Sequence, residues 1–298
     1  MQECELLKRL RPLFPGNGGD IVAGIGDDAA IVKFGNRLLL AAVDQLIGGI
    51  HYLQLATPAA VAGAKLLKRN LSDIAAMGGK PDWALLTIAA NAVTEEWIFE
   101  FHRGVAECAE EWGVGVIGGD TGSLPTPGMV ATLTILGEVE PDKIALRKNA
   151  HPGEKVFVTG ELGRSFPTEH HLNFTPRLRE ADFLAGRYTG CMMDISDGLA
   201  LDAVRLAEAS GVQIALDLQS LPPRDGATIA EMMNDGEDYE LLFTVPADKA
   251  ERLKEEWPFE IKLSEIGEIR PASGELLVDI AGKRLGGEYN GYQHTAAL

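Results

Sequence analysis

The stretch NLSDIAAMGGKP (residues 70–81) says more about the fold than any other part of the chain. Small residues surround Asp73, and the run ends in two glycines and a proline, which is typical of a helix that packs closely and then stops. The same pattern extends back to Thr57 and Pro58, which we expect to be the N-cap and the first helical residue. Asp73, near the end of this helix, is predicted to point into a buried cleft.

Four further acidic clusters follow apolar runs and are set among glycines. Glycine lets backbone N–H groups approach a ligand closely, and clustered carboxylates gather hard cations such as magnesium. A single Asp-Gly pair is ordinary turn chemistry, but five acidic pieces in one chain favour a site where several metal ions hold a polyphosphate. The four clusters are GIGDDAA (24–30), IGGDTG (117–122), MMDISDGL (192–199) and NDGEDYELLF (234–243).

Composition limits the class of protein. With 298 residues, the chain can form one large domain or two ordinary ones. A net charge of −17 without a basic stripe argues against nucleic acid as a partner. No run approaches the roughly 20 apolar residues of a membrane helix, and the first residues do not resemble a signal peptide. Cys4, Cys108 and Cys191 are widely separated, so we expect no disulfide framework or zinc site and a cytoplasmic location.

In the first half of the chain, strands and helices alternate. The apolar run 38–43 predicts a strand that ends at Asp44, and residues 83–90 predict another. Thr94 is expected to cap a helix that ends at Gly113. The segment 114–122 is predicted to be a strand that runs into a Gly-Asp turn.

A polar segment with a proline near each end, residues 140–153, is the expected domain boundary. Beyond it, KVFVTG (155–160) predicts a strand, and residues 199–210 predict a helix directly after MMDISDGL. IALDL and ELLFTV predict two more strands, with an irregular segment at 164–178.

Familiar nucleotide-binding and hydrolase motifs do not explain the chain. There is no P-loop consensus, no His-Glu-x-x-His and no G-x-S-x-G. GIGDDAA loosely matches a dinucleotide-binding pattern, but Asp27 and Asp28 would repel a pyrophosphate unless metal ions intervened.

Ordered motifs from about Gly24 to His294 carry a family resemblance. The chain resembles the thiamine-monophosphate kinases, which belong to the superfamily of aminoimidazole ribonucleotide synthetase and selenophosphate synthetase. NLSDIAAMG and GEDYELLF are the most specific motifs. The others are GIGDDAA, VDQLIGGIHY, GVGVIGGDTG, HPGEKVFVTGELG, HHLNFTPRL, MMDISDGLALD and YNGYQH.

The resemblance implies roles for individual residues and a pair of co-substrates, ATP and thiamine monophosphate, with Mg²⁺ as cofactor. Asp120, Asp197 and Arg147 would be the residues closest to the chemistry. Magnesium-binding positions would be Asp27, Asp28, Asp44, Asp73, Asp120, Asp194 and Asp197. Nucleotide-contacting positions would be Gly119, Asp120, Arg147 and Ser196, and acceptor-contacting positions would be His51, Glu237 and Tyr292.

The same resemblance implies an α+β protein with an aminoimidazole ribonucleotide synthetase-like architecture. Residues 1–145 would form an N-terminal ATP- and magnesium-binding domain that dimerises through its sheet, and residues 146–298 a C-terminal α+β domain. The activity implied is ATP-dependent phosphorylation of thiamine monophosphate to thiamine diphosphate. The nucleophile would be a phosphate oxygen that is already ionised at neutral pH, which suits a site rich in Asp and poor in catalytic His.

Several residues depart from the family pattern. Val43 replaces a usual Thr, Arg164 stands in a usual Gly-Asp-Ser, Asp235 replaces a Gly, and the helix expected before His170 is almost absent. These departures leave two alternatives open: a relative that phosphorylates another small acceptor, and a catalytically weakened nucleotide-binding protein. The shortened segment at 163–171 is expected to cover the site less well and to weaken acceptor binding before nucleotide binding.

Overall fold

The computed structural model describes residues 6, 9–14, 19–54, 56–287 and 289–292. Two six-stranded sheets divide the chain, one built from residues 21–138 and the other from residues 155–279. The α+β expectation is therefore confirmed, and we retain residue 145 as the proposed boundary between the halves. Cys4 and His294 lie outside the described residues. Before the first sheet, Arg11–Leu13 forms a 3-10 turn.

The first sheet is mostly antiparallel, and only its edge strand β5 runs parallel to its neighbour β4. Its strand order is β1-β2-β3-β6-β4-β5. The six strands are β1 (Ile21–Ala23), β2 (Ala30–Phe34), β3 (Arg37–Ile47), β4 (Lys80–Asn91), β5 (Gly115–Ser123) and β6 (Gly128–Glu138).

Two helices cover one face of this sheet, α1 (Ala59–Ala76) and α2 (Glu95–Trp112). Glycines allow their backbones to touch: a Cβ on Gly63 would lie 2.0 Å from the carbonyl oxygen of Phe101, and one on Gly104 would lie 1.9 Å from that of Ala60. Burial of strand β6 alternates strictly along its length, so the sheet presents a second face that the helices leave uncovered. The close contacts of Gly63 and Gly104 show that small residues allow α1 and α2 to pack tightly against each other.

The second sheet is buried along most of its strands and has the order β12-β9-β11-β7-β10-β8. Antiparallel pairs join its strands except for β12, which runs parallel to β9. The strands are β7 (Lys155–Thr159), β8 (Met192–Asp194), β9 (Val212–Leu216), β10 (Leu241–Val245), β11 (Leu263–Pro271) and β12 (Leu277–Asp279).

Five helices connect or flank these strands. Of these, α5 follows the MMDISDGL motif directly, with the bounds expected from the sequence, and ends at Gly211 in a left-handed conformation. The five are α3 (His170–Asn173), α4 (Leu178–Leu184), α5 (Leu199–Ser210), α6 (Ile229–Asn234) and α7 (Ala247–Glu256). Across the part of the chain that the structure describes, no helix is both long and apolar enough to cross a membrane.

Three local predictions were wrong. Asp44 lies inside β3 and not at its end, because pairing with β6 continues to Ile47 opposite Val130. Pro58, not Thr57, holds the N-cap position of α1, with an extended ψ of 137° and no side-chain cap. The Gly-Asp turn expected at 118–122 is strand, since β4 continues beside it and pairs Thr87 with Asp120.

Other expectations hold. The side chain of Thr94 accepts a hydrogen bond from the backbone N–H of Trp97, and Gly113 ends α2 with a φ of 69°.

Candidate active site

A cavity of about 1120 Å³ lies between the two halves of the chain. Helix α1 and strand β3 form one side of it, and loops of the second half form the other. Eight of the sequence-predicted residues line it: Asp44, His51, Asp73, Asp194, Ser196, Asp197, Glu237 and Tyr292. The cavity therefore gathers residues that are almost 250 positions apart in sequence.

Three carboxylates meet beside the cavity, and two of them, Asp73 and Asp194, line it. Oxygen atoms of Asp28, Asp73 and Asp194 all lie within 4.8 Å of one another. Asp28 comes from the loop before β2, Asp73 from the last turns of α1, and Asp194 from the end of β8. Ser72, beside Asp73, donates a hydrogen bond from its Oγ to Oδ2 of Asp194 at 2.6 Å, which joins the two halves.

Burial and mutual repulsion disfavour charge on this cluster. Burial raises the pKa of Asp73 well above its usual range, and the neighbouring carboxylates of Asp44 and Asp194 raise it further. Burial likewise raises the pKa of Asp194, with Asp28 adding to the effect. One buried and two partly buried carboxylates with hard oxygen donors make a cation-binding arrangement.

Arg147 fixes the acidic loop at the edge of the cluster. Its guanidinium donates two hydrogen bonds to the carboxylate of Asp28, one of them from Nε to Oδ2 at 3.1 Å. Its backbone N–H donates to Oδ1 of Asp27 at 2.8 Å. Burial raises the pKa of Asp27, against the lowering effect of that hydrogen bond. Arg147 and Asp27 therefore border the cluster without lining the cavity itself.

The loop 195–198 is held by residues of the following helix. Oδ2 of Asp202 accepts hydrogen bonds from the backbone N–H groups of Ser196, at 3.1 Å, and Asp197, at 3.0 Å. Arg205 pairs with both Asp197 and Asp202, at 2.5 and 2.8 Å. Burial raises the pKa of Asp202 to about 7, with Asp197 contributing. Asp197 and Ser196 were predicted from the sequence, whereas Asp202 and Arg205, which position them, were not.

A buried lysine organises the other end of the cavity. Nζ of Lys65 lies 2.8 Å from Oε2 of Glu237 and donates a hydrogen bond to the backbone oxygen of His51 at 2.5 Å. Burial lowers the pKa of Lys65 to about 8, against the raising effect of Glu237. Nδ1 of His51 accepts a hydrogen bond from the backbone N–H of Ile47 at 2.9 Å, so the proton of the neutral ring lies on Nε2. Lys65 thus connects two of the residues expected to contact the acceptor.

Lys65, Arg69 and Asp73 form a charged stripe along α1. They are spaced four residues apart, which puts them on one helix face at intervals of about 6 Å. Arg69 and Asp73 line the cavity, and Lys65 is fully buried behind Glu237. This spacing could have identified both cations from the sequence, because Asp73 had already been assigned to the cleft.

The shortened segment at 163–171 forms part of the cavity wall. Oγ of Ser165 donates to the backbone oxygen of Gly236 at 2.5 Å, and the backbone N–H of Arg164 donates to Oδ2 of Asp235 at 2.8 Å. The ring of Phe166 stacks on His171 with a centroid distance of 3.8 Å and lines the cavity. The side chain of Arg164 points to Asp225 instead, 3.7 Å away.

Two predicted residues lie elsewhere. Gly119 and Asp120 are in β5, where every residue is exposed, and they do not line the cavity. A Cβ on Gly119 would lie 1.7 Å from the backbone oxygen of Leu86, so strand pairing alone requires glycine there. The nucleotide and metal roles of these two residues stay predictions.

Comparisons with known proteins agree with this architecture. A family model for the N-terminal domain of AIR synthase related proteins matches residues 26–139, and the model for their C-terminal domain matches residues 151–279. Two such domains around a carboxylate-rich cavity place the chain in the class of AIR synthase related proteins. Among curated proteins, the thiamine-monophosphate kinase of Salmonella typhimurium is 30% identical over 93% of each chain. That of Aquifex aeolicus is 32% identical over 91% of this chain and 92% of its own.

Solved structures give the same result. The structure of AaThiL complexed with AMPPCP and TMP is 28% identical, covers 99% of this chain and 97% of its own, and has a TM-score of 0.83. Thiamine-monophosphate kinase from Stenotrophomonas maltophilia is 30% identical, with coverage of 95% and 98% and a TM-score of 0.74. The chain belongs to the thiamine-monophosphate kinase family, within the AIR synthase related proteins.

Proposed function

We propose that this protein transfers the γ-phosphoryl group of ATP to thiamine monophosphate, giving thiamine diphosphate and ADP. One observation carries the proposal: the carboxylates of Asp28, Asp73 and Asp194 meet beside a single cavity that Arg69, from the charged stripe on α1, also lines. The relatives named above are thiamine-monophosphate kinases that align with this chain over nine-tenths of its length.

The donor set of the acidic cluster fits magnesium. Asp28, Asp73 and Asp194 offer hard oxygen ligands close together, and the raised pKa values of Asp73 and Asp194 reflect charge that a cation would balance. When bound, Mg²⁺ would neutralise phosphate charge and stabilise the transferring group. Asp27, Asp44, Asp120 and Asp197 are further proposed ligands, of which Asp44 and Asp197 line the cavity.

The nucleotide is proposed to bind next to this cluster. Ser196 lines the cavity beside Asp194, on a loop whose backbone is fixed by Asp202. Arg147 is held against Asp28, where its fixed positive charge favours anionic phosphate groups nearby. Gly119 and Asp120 are proposed to contact the nucleotide as well.

The acceptor is proposed to occupy the end of the cavity near Lys65. His51, Glu237 and Tyr292 line the cavity and offer an imidazole, a carboxylate and an exposed aromatic ring, and Lys65 is bonded to the first two. The nucleophile, a phosphate oxygen of thiamine monophosphate, is ionised at neutral pH and needs no general base. The protein then contributes mainly by positioning the two substrates in line and by excluding water.

Homodimerisation is proposed through the uncovered face of the first sheet. In-register neighbours Val43, Thr134, Leu85 and Gly118 form one row across that face. Val43 is 60% exposed and Leu85 is 38% exposed. Such apolar area on a broad sheet face suits a second copy of the chain. A cytoplasmic location is also proposed, because Cys108 and Cys191 are unpaired and buried.

Substrate-dependent turnover tests the proposed function. ADP formation should require both magnesium and thiamine monophosphate, and thiamine or thiamine diphosphate in its place should give only background. A coupled ADP assay with the three thiamine compounds measures this. Equal ADP formation without any acceptor would favour a simple ATPase, and activity with a different phosphomonoester alone would favour another acceptor.

A further inference from the structure

Arg69 lies in the middle of the charged stripe on α1, between the acidic cluster and the acceptor end of the cavity. Asp73 is four residues after it and Lys65 four residues before it, each about 6 Å away along the helix axis. Its side chain is 13% exposed, and the residue lines the cavity. A group bound at Arg69 would therefore face both ends of the site.

The guanidinium of Arg69 has more N–H donors than the contacts it makes. Nη1 donates a hydrogen bond to the backbone oxygen of Gln45 at 2.7 Å. Nε is 3.2 Å from Oδ2 of Asp44, yet it is buried and makes no hydrogen bond to any residue that the structure describes. A guanidinium carries five N–H donors in a rigid planar fork, which matches the geometry of a phosphate.

The other cations around the cavity are more fully engaged. Arg147 donates two side-chain hydrogen bonds to Asp28, and Nη1 of Arg205 is bonded to both Asp197 and Asp202. Lys65 is bonded to Glu237 and to the backbone oxygen of His51. Each of these three donates to at least two oxygen acceptors, and none of them lines the cavity, whereas Arg69 does and donates one side-chain hydrogen bond. Of these four cations, Arg69 therefore has the most capacity for an incoming anion.

We propose that Arg69 binds the phosphate group of the acceptor and holds it against the metal-binding end of the cavity. This inference rests on the proposed function and extends it, since it names the residue that distinguishes a phosphorylated acceptor from an unphosphorylated one. The guanidinium is paired with Asp44, and both residues line the cavity. Arg69 acts as a permanently charged, bidentate ligand where Lys would act as a point charge.

A comparison of two ligands that differ only in a phosphate tests the proposal. Calorimetry would measure binding of thiamine monophosphate and thiamine, with magnesium and without nucleotide, to the wild type, Arg69→Ala and Arg69→Lys. Removal of a charged hydrogen-bonding partner should weaken binding of thiamine monophosphate by about 10- to 100-fold and leave binding of thiamine unchanged. Arg69→Lys should recover part of the loss.

Lys68→Ala is the matched control, because its ammonium lies over the ring of Phe174, 5.8 Å from the centroid, and not in the cavity. This variant should bind both ligands as the wild type does. Equal weakening of both ligands by Arg69→Ala, or no weakening of either, would overturn the proposal. Thermal unfolding of each variant confirms that the comparison is made on folded protein.

Failure of the proposed function would give a different result. If the wild type neither binds thiamine monophosphate nor turns it over, inorganic phosphate becomes the probe, again with magnesium present. Weaker phosphate binding to Arg69→Ala than to the wild type and Lys68→Ala would still support the role of Arg69. Equal phosphate binding by all three would overturn it.

Discussion

The two halves of the molecule contribute to the cavity in different ways. The first half places its cavity residues mainly on regular elements, with Asp44 in β3 and Arg69 and Asp73 in α1. The second half contributes mainly loops next to fully buried strands: the loop around Ser196 follows β8, and the loop around Glu237 precedes β10. The positions of the charged side chains are therefore set by regular secondary structure in the first half of the chain. In the second half they are set by hydrogen bonds and buried ion pairs.

This difference predicts whether a substitution in each half affects activity or stability first. Substitution of a cavity residue on α1 should remove chemistry and leave the fold intact, because the helix is held by its apolar face. Substitution of a buried charge behind the loops should reduce stability first. Arg177 and Glu240, for example, form a buried pair with two hydrogen bonds at 2.7 and 2.6 Å, and Thr159 donates to the same carboxylate at 2.7 Å.

The largest effect is expected from the acidic cluster. Asp73→Asn and Asp194→Asn should each reduce turnover by at least about 1,000-fold, because each removes a charged metal ligand from the site. Asp248→Asn, a change at an exposed position, should leave turnover unchanged. Steady-state ADP formation measures all three, and near-normal turnover in Asp73→Asn would show that this carboxylate is only a helix-end residue.

Glu240→Gln should cost stability more than activity. The change removes the hydrogen-bonded counter-charge of the buried Arg177 guanidinium, and breaking such a pair typically costs about 3–5 kcal/mol in the free energy of unfolding. The exposed pair of Glu100 and Arg103 offers the control, and Glu100→Gln should cost less than about 1 kcal/mol. Urea denaturation compares the two, and similar losses would show that the buried pair does not hold the loops.

His170 should make the second half sensitive to acid. Burial lowers the pKa of His170 to about 4, with repulsion from Arg224 adding to the effect. Since the unfolded chain binds the proton more readily, this stabilising contribution is complete above pH 6.5 and is lost as the pH falls towards 4. Between these values the wild type should lose up to about 3 kcal/mol more than His170→Gln.

Urea denaturation of both proteins across that pH range provides the measurement. Burial also raises the pKa of Asp238 to about 7, and the resulting pH dependence has the opposite sign. Asp238 is present in both proteins, so their difference isolates His170. Parallel pH profiles would show that His170 does not become protonated on unfolding in this range.

The smallest effect is expected at Phe166. Its ring stacks on His171 and lines the cavity, while Nζ of Lys65 lies 5.9 Å from its centroid. Phe166→Ala should raise the KM for the acceptor by about 3- to 10-fold, because it removes a planar apolar wall, and should leave the KM for ATP unchanged. A change in both constants would indicate that the shortened segment supports the whole cavity.

Local signals gave much of the fold. Thr94 and Gly113 bound α2 because a cap and a left-handed glycine act within one turn of the helix end. Where tertiary pairing competes with local preference, the sequence was misleading. GGDTG looks like a turn, but the neighbouring strand β4 extends it as strand β5.

Local signals also predicted part of the candidate site, whereas contacts between distant residues were not predicted. Asp73 and Asp194 carry local glycine and small-residue signatures, so both could be predicted from the sequence. Lys65 and Glu237 are 172 positions apart, and only folding brings them together. Arg69 was within reach of helical spacing from Asp73, yet nothing local shows that Asp44 lies opposite it.

Phosphorus NMR of a reaction mixture tests the central claim most directly. With the protein, ATP, magnesium and thiamine monophosphate, the two signals of thiamine diphosphate should grow at the rate at which ADP forms, in equal amounts. The γ-phosphorus signal of ATP and the signal of thiamine monophosphate should fall together. Growth of inorganic phosphate with an unchanged thiamine monophosphate signal would contradict the account.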